Sequence, residues 1–369
     1  MNRLFRWDQM GLFLLALAAG ILPFAVPEVC AAALREGLTL CSGPLLLSLF
    51  PFLVVSRLLI QCPESDLLAL PFRLAAWGIG IRTPCAARVL CIGFLGGFAP
   101  AASAAAQAVR TGQLTAEEAD ALLPACICSG PSFVVLTVGQ SLLGSAELGV
   151  LLFASQITAN YLTAALLNRF AGVRSVKPGS AAPASPAPPR LDEILADAAI
   201  TYCKLCGFIL FFRMLAAGAG ALLPAGAGTL CSILLEVCSG CDLASRTGRW
   251  GSLLCCAALS MQGLSVLLQV RTICPPEMTL RPLYRARMLH LPLSLALFYL
   301  LLPGGEADVF STLSARVLLM RRVPPDCALL VFAVCCMAAC TLRSGIRQVE
   351  QKQMARNAGG CCINSKTLL

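Results

Sequence analysis

Long apolar runs separated by short polar stretches make up most of this chain, and several runs are interrupted by Gly, Pro and Ser where a plain membrane anchor would carry Leu or Val. A first run covers residues 11–26, behind Arg3 and Arg6. A second covers 31–60 and is broken at Gly43-Pro44 and at Pro51. Residues 61–82 are mixed and read as a partly interfacial connection. The third run, 83–106, contains GFLGGFAP at 93–100. The polar stretch QAVRTGQLTAEEAD at 107–120 follows, where Thr115-x-x-Glu118 is the signature of a capping box that opens a helix. That helix leads into CICSGPSFVVLTVG at 126–139, and more apolar sequence follows to residue 170. Beyond it lie apolar runs near 194–223, 230–244, 260–270, 290–302, 310–323 and 326–342. Runs of this length predict an all-α polytopic membrane protein of about eight spans, the count depending on how many segments are re-entrant.

The interruptions carry the functional content. In Ser129-Gly130-Pro131, Gly suits a cap, and Pro is tolerated at the first helical position because its missing N–H would be unpaired anyway. A helix that starts at membrane depth leaves its first N–H groups without intrahelical partners. Lipid cannot satisfy them, so such a break is expected only where protein or a water-filled cavity lines it. Broken helices of this kind build solute sites in carriers.

Residues 171–190 (RFAGVRSVKPGSAAPASPAPPR over 169–190) are rich in Pro, Ala and Ser and carry only positive charge, so they read as a cytoplasmic linker. The linker divides the chain into a first membrane span (1–30) plus a first half (31–170), and a second half (191–303). C-terminal helices (304–345) and a basic tail (346–369) follow. The halves echo one another: SMQGLSVLLQV at 260–270 lies over CSGPSFVVLTV at 128–138, setting Gly263 on Gly130 and Ser265 on Ser132. The expectation is two repeat-related halves with broken or re-entrant helices.

Composition sharpens this picture. The chain of 369 residues is 58% hydrophobic and 13% charged, about half the charged share of a soluble domain. Its formal charge of +9 sits in loops and helix ends, as beside anionic lipid, and needs no nucleic acid to explain it. Most of the 21 cysteines fall within apolar runs, where a thiol packs as a small hydrophobe. Cys203-x-x-Cys206 and Cys238-x-x-Cys241 have metal-like spacing, yet the chain has one histidine, His290, at the start of a span and expected at the interface. No nucleophile–base set or phosphate loop is present, so no enzyme, metal or cofactor is expected.

Taken together, these motifs resemble the sporulation integral membrane protein family of the YlbJ type, whose members carry paired Gate, or nucleoside-recognition, domains. The carrying residues are SLFPFLVVSRLL at 48–59, GFLGGFAPAASAA at 93–105, RTGQLTAEEADALL at 110–123, CSGPSFVVLTVG at 128–139, LLEVCSGCDLA at 234–244 and LSMQGLSVLLQV at 259–270. The chain departs from the family in its Pro-containing turn, here Gly97-Phe98-Ala99-Pro100-Ala101-Ala102, and in Cys128-Ser129, where an Asn pair is common. The resemblance implies a multi-span bacterial cell-membrane protein, similar in its Gate domains to nucleoside carriers and needed for spore formation.

The expected function is transport or recognition of a small, nucleoside-like or other polar solute. The alternative is a non-transporting scaffold for cortex assembly. Membrane lipids are the expected partners, together with the solute and a second copy of the chain in a homo-oligomer; nucleic acid is not. The candidate substrate-binding residues are Gly96, Gly97, Ser129, Gly130, Pro131, Ser132, Glu236, Gly240, Gln262, Gly263, Ser265 and Gln269. Glu236, flanked by Leu235 and Val237, is either functional or a helix-end carboxylate, with Arg213 or Lys204 as a conceivable partner. Gln262 and Gln269, seven residues apart, share a helical face and line a polar path or bond between helices. The serines near the breaks either donate to a solute or satisfy freed backbone groups.

Overall fold

Proline and glycine set the helix ends of this chain, and the apolar runs between them fold as helices. The computed structural model describes residues 2–171 and 190–302, with no strand among the described residues. The C-terminal helices, the basic tail and nearly all of the linker expected from the sequence lie outside them. The helices are α1 (Asn2–Ala25), α2 (Pro27–Ser42), α3 (Pro44–Gln61), α4 (Leu70–Gly78), α5 (Pro84–Gly96), α6 (Phe98–Arg110) and α7 (Ala116–Cys126). After a π-helix over Ser132–Leu142 come α8 (Ala146–Ala171), α9 (Leu191–Leu222), α10 (Ala225–Leu235), α11 (Val237–Ser245), α12 (Gly251–Met261), α13 (Gly263–Ile273) and α14 (Arg281–Leu301). Proline opens α2, α3, α4, α5 and α14 from the first turn, where its missing N–H is not required. The capping box on α7 forms as the sequence indicates, with Thr115 accepting from the Glu118 N–H.

Four segments are long and apolar enough to cross a membrane: Pro27–Leu47, Ala146–Ala171, Leu191–Leu222 and Gly248–Ile273. At about 1.5 Å per residue even the shortest, with 21 residues, matches a hydrocarbon core of about 30 Å. These four are the candidate spans among the described residues, and the expected C-terminal spans at 310–323 and 326–342 lie outside them. Several other apolar runs fold back or stop short.

The expected third span, 83–106, is a helical hairpin. Gly97 turns the chain with φ 79° and ψ −162°, a region that L side chains rarely enter. Arg88 near the start of α5 then donates to the Gln113 side chain just past α6, at 3.0 Å, so both arms end on one face of the bundle. A second hairpin joins α10 and α11 through extended Glu236. Its open end sits beside Gly220 of α9, which touches both Gly228 of α10 and Leu243 of α11. By contrast α7 and the π-helix, and α12 and α13, run on end to end as helices interrupted at 127–131 and at Gln262.

Helix α9 braces the bundle. It runs antiparallel to the α2–α3 pair, which is kinked at Gly43-Pro44. Arg57 of α3 pairs with Asp197 at 2.6 Å near one end of α9, and Arg213 pairs with Glu36 of α2 at 2.7 Å further along. Between them the Tyr202 hydroxyl donates to the Cys41 carbonyl, freed by the kink. Lipid gives helices no hydrophobic reason to associate, so close approach through small residues carries the packing. The π-helix and α8 show this best: a Cβ on Gly139 would lie 2.4 Å from the Gly149 Cα.

The connectivity separates two faces. On the first lie the ends of α3, α6, α8 and α13 and the starts of α5, α7, α9 and α14. On the second lie the end of the π-helix, the end of α9, both ends of the second hairpin and the start of α12. The first hairpin therefore enters from the first face and the second from the opposite one.

Candidate functional site

The four interruptions meet inside the bundle. Each hairpin tip presses on one broken helix. A Cβ on Gly97 would lie 2.7 Å from the Gly130 nitrogen, and one on Gly263 would lie 3.0 Å from the Glu236 nitrogen. Two tip–break pairs result, and a hydrogen bond joins them: the Gln262 amide nitrogen donates to the Ser129 hydroxyl at 3.3 Å. Gln262 holds a left-handed backbone (φ 63°), rare for a residue with a side chain, so the α12–α13 break is fixed by tertiary contacts rather than by propensity.

A cavity of about 70 Å³ lies between the tips. Of the twelve candidates, Gly96, Ser129, Gly130, Ser132, Glu236 and Gln269 line it. Its remaining wall is apolar, with Leu45, Leu49 and Phe52 of α3, Phe133 of the π-helix and Val266 of α13. The other six candidates stand behind the wall. Gly97 and Gly263 make the tip contacts, Pro131 caps the π-helix, and Gly240 lets α11 approach the Ile233 backbone, where a Cβ would sit 2.8 Å from its Cα. Gln262 ties the two breaks together, and Ser265 accepts from the Gln269 amide at 2.9 Å.

Glu236 is buried and occupies the N-cap of α11. Its two carboxylate oxygens accept from the Cys238 N–H at 2.9 Å and the Ser239 N–H at 2.7 Å. This satisfies donors the break would orphan, and it places a negative charge at the positive end of a helix. No direct ion pair with Arg213 or Lys204 forms; Arg213 is taken by Glu36. At the α12–α13 break and on α13, the buried amide oxygens of Gln262 and Gln269 have no hydrogen-bond partner. The shared-face reading of these glutamines is superseded, because Gln262 is the break itself and only Gln269 reaches the cavity.

The opposite ends of the broken helices are held by a residue the sequence did not single out. Arg287 of α14 is 3% exposed and faces no carboxylate. Its guanidinium donates to the Ser260 carbonyl at 3.2 Å, to the Ile127 carbonyl at 2.8 Å and to the Asn160 side chain at 3.2 Å. One cation thus satisfies the C-terminal ends of both α7 and α12, where the helix dipoles are negative. His290, one turn further on, is buried rather than interfacial, and its Nε2–H donates to the Gln156 carbonyl at 3.2 Å. Gln156 in turn donates to the Ser260 hydroxyl at 3.2 Å, and Ser260 pairs with Ser294. The only advance signal was the basic run Arg281, Arg285 and Arg287 in the first turns of α14, which reads equally well as a membrane-interface anchor.

The cysteines resolved among the described residues are free thiols, mostly buried, and no cluster of three or more metal-ligating side chains occurs there. The recess combines a largely apolar wall with the Glu236 carboxylate, the Ser129 and Ser132 hydroxyls and the Gln269 side chain, a lining suited to binding by shape and hydrogen bonding. Comparison with protein-family models, with curated proteins and with solved structures gives no significant match to this chain.

Proposed function

We propose that the chain is a membrane carrier that takes a small polar solute into the recess where the four helix interruptions meet. The observation that carries this reading is the cavity itself, with Ser129, Ser132, Glu236 and Gln269 as its polar lining residues. The Glu236 carboxylate among them suits a solute that presents N–H or O–H donors on a compact, partly apolar frame. A nucleoside-like molecule has that character, though the free volume admits only a small part of one without opening.

Two further features support carrier architecture. The hairpins enter from opposite faces and each abuts one broken helix, as expected of two halves related by inverted repetition. Lys and Arg favour the first face, where Arg82, Arg110, Arg169, Arg190, Arg271 and Arg281 lie, against Arg246 and Arg249 on the second, which supports reading the first face as the cytoplasmic one. The motifs shared with the sporulation family suggest the developing bacterial spore as the setting.

The test combines binding and phenotype. Protein purified in detergent is screened by thermal unfolding against nucleosides and other donor-rich polar solutes, since a ligand at 100 times its Kd stabilises by about 2.7 kcal/mol. The expected hit loses its effect in Glu236→Gln. If no solute stabilises the wild type, and Glu236→Gln accumulates normally with an unchanged spore phenotype and no change in uptake, the carrier reading fails and a cortex-assembly scaffold is left.

A further inference from the structure

A second, larger cavity of about 140 Å³ opens between α3, α6, α9 and α13 on the first face, separated from the recess by Gln269, which lines both. Arg57, Arg110 and Lys204 line it against a single carboxylate, Asp197. Arg57 is held in place: it pairs with Asp197 at 2.6 Å, donates to Thr201 at 3.2 Å and reaches Ser103 at 3.3 Å. Arg110 and Lys204 make no ion pair among the described residues.

Three cations and one carboxylate leave a formal charge of +2 on the lining. The ends of α6 and α13 add about half a negative charge each, and the start of α9 about half a positive one. More than one unit of positive charge remains, in a concavity with room for about four or five waters at the volume water occupies in the liquid. The Thr201 and Thr272 hydroxyls on its wall already donate to the Asp197 and Leu268 carbonyls, so the cations supply the attraction for an anion.

We propose that this cavity binds a phosphate-class oxyanion through Arg110 and Lys204, with Arg57 as the fixed floor of the site. Such a group reaches this face as the headgroup of an anionic lipid or as free phosphate. The site is independent of the solute recess.

The test compares wild type with the double variant Arg110→Gln/Lys204→Gln, in which both altered side chains are exposed, so that folding is retained. Thermal unfolding in detergent is measured in sodium phosphate against sodium chloride of equal ionic strength. It is repeated in phosphatidylcholine nanodiscs with and without phosphatidylglycerol. A rise in Tm with phosphate identifies a free-anion site, and a rise confined to phosphatidylglycerol identifies a lipid site. In either case the double variant loses about tenfold in apparent affinity for the active probe. No rise with either probe, or an equal rise in the double variant, overturns the proposal. Glu236→Gln, measured alongside, keeps the full response, so failure here is distinct from failure of the carrier reading.

Discussion

Gly97 and Gly130 look equivalent in the sequence, each a small residue in an interruption, yet the geometry gives them different tolerances. Gly97 combines φ 79° and ψ −162° with a contact that leaves no space for a methyl group. Gly130 sits at ordinary φ, and a Cβ there would meet the Gly96 oxygen at 3.5 Å, a normal van der Waals distance. Gly97→Ala is therefore expected to destabilise by about 3 kcal/mol or more, and Gly130→Ala by less than about 1 kcal/mol. Thermal unfolding in detergent separates the two; similar Tm values would contradict the hairpin-tip geometry. Glu236 is subject to a second residue-scale test. Removing an N-cap acceptor costs about 0.5–2 kcal/mol, so Glu236→Ala should lower stability in that range, while Glu236→Gln, which keeps one acceptor, should lose less. Equal losses would mean that the cap is not what holds α11. That Glu236 mattered was legible from a carboxylate inside an apolar run. That it stands at a helix end was one of the two sequence readings; that this end lies inside the bundle was not legible, because the break between α10 and α11 carries no Gly or Pro.

The elements depend on how their cut ends are satisfied. The N-terminal end of α11 is met by Glu236, and the C-terminal ends of α7 and α12 share the Arg287 guanidinium. Arg287→Met would leave the Ser260 carbonyl without that donor and the Ile127 carbonyl with only the longer bond from Asn160 at 3.3 Å. An unmade bond at a buried group costs about 1–3 kcal/mol, so the predicted loss is about 2–4 kcal/mol, partly recovered by Arg287→Lys. A Tm unchanged by Arg287→Met would show that water or other donors already serve these carbonyls. The π-helix supplies a packing test. Its Gly139 lies against Gly149 with no room for a side chain on either, so Gly139→Ala should force α8 away and cut the yield of folded protein, as judged by size-exclusion profile. The helices themselves were largely readable, since Pro openings, the Thr115 capping box and the Gly-rich interruptions mark real ends, but Pro51, read as a second break in 31–60, lies inside α3. The π form of Ser132–Leu142 was not readable, because an apolar run of that composition fits an α-helix equally well.

At the scale of the whole molecule the hairpins and spans fix which loops share a side. The end of α8, the start of α9 and the turn between α6 and α7 belong to one face, and the segment between α11 and α12 to the other. Reporter fusions within 172–189 and at Thr247 are accordingly expected on opposite sides of the membrane, the first of them cytoplasmic. Both on one side would mean that the second hairpin, or the α12–α13 pair, crosses differently. The division into halves is an expectation from composition and from a linker that lies almost wholly outside the described residues. The count of crossings was not legible in composition, because hydropathy measures how apolar a run is and cannot see a turn within it. The run at 83–106 is long enough to span and instead doubles back at Gly97.

The sequence by itself determined the class of molecule, since 58% hydrophobic residues in long runs leave helices as the structure that satisfies the backbone in lipid. It also marked the cuts at Gly43-Pro44, Gly97 and Ser129-Gly130-Pro131, where Gly and Pro act on the backbone locally, but not the one at Glu236. Only the tertiary structure decided what those cuts do. Whether an interrupted segment folds back or runs on depends on neighbours distant in the chain, such as Gly97 against Gly130 and Gly263 against Glu236. The keystone role of Arg287 and the burial of His290 depend on which carbonyls lie beside α14, a matter of packing that no local pattern of residues encodes.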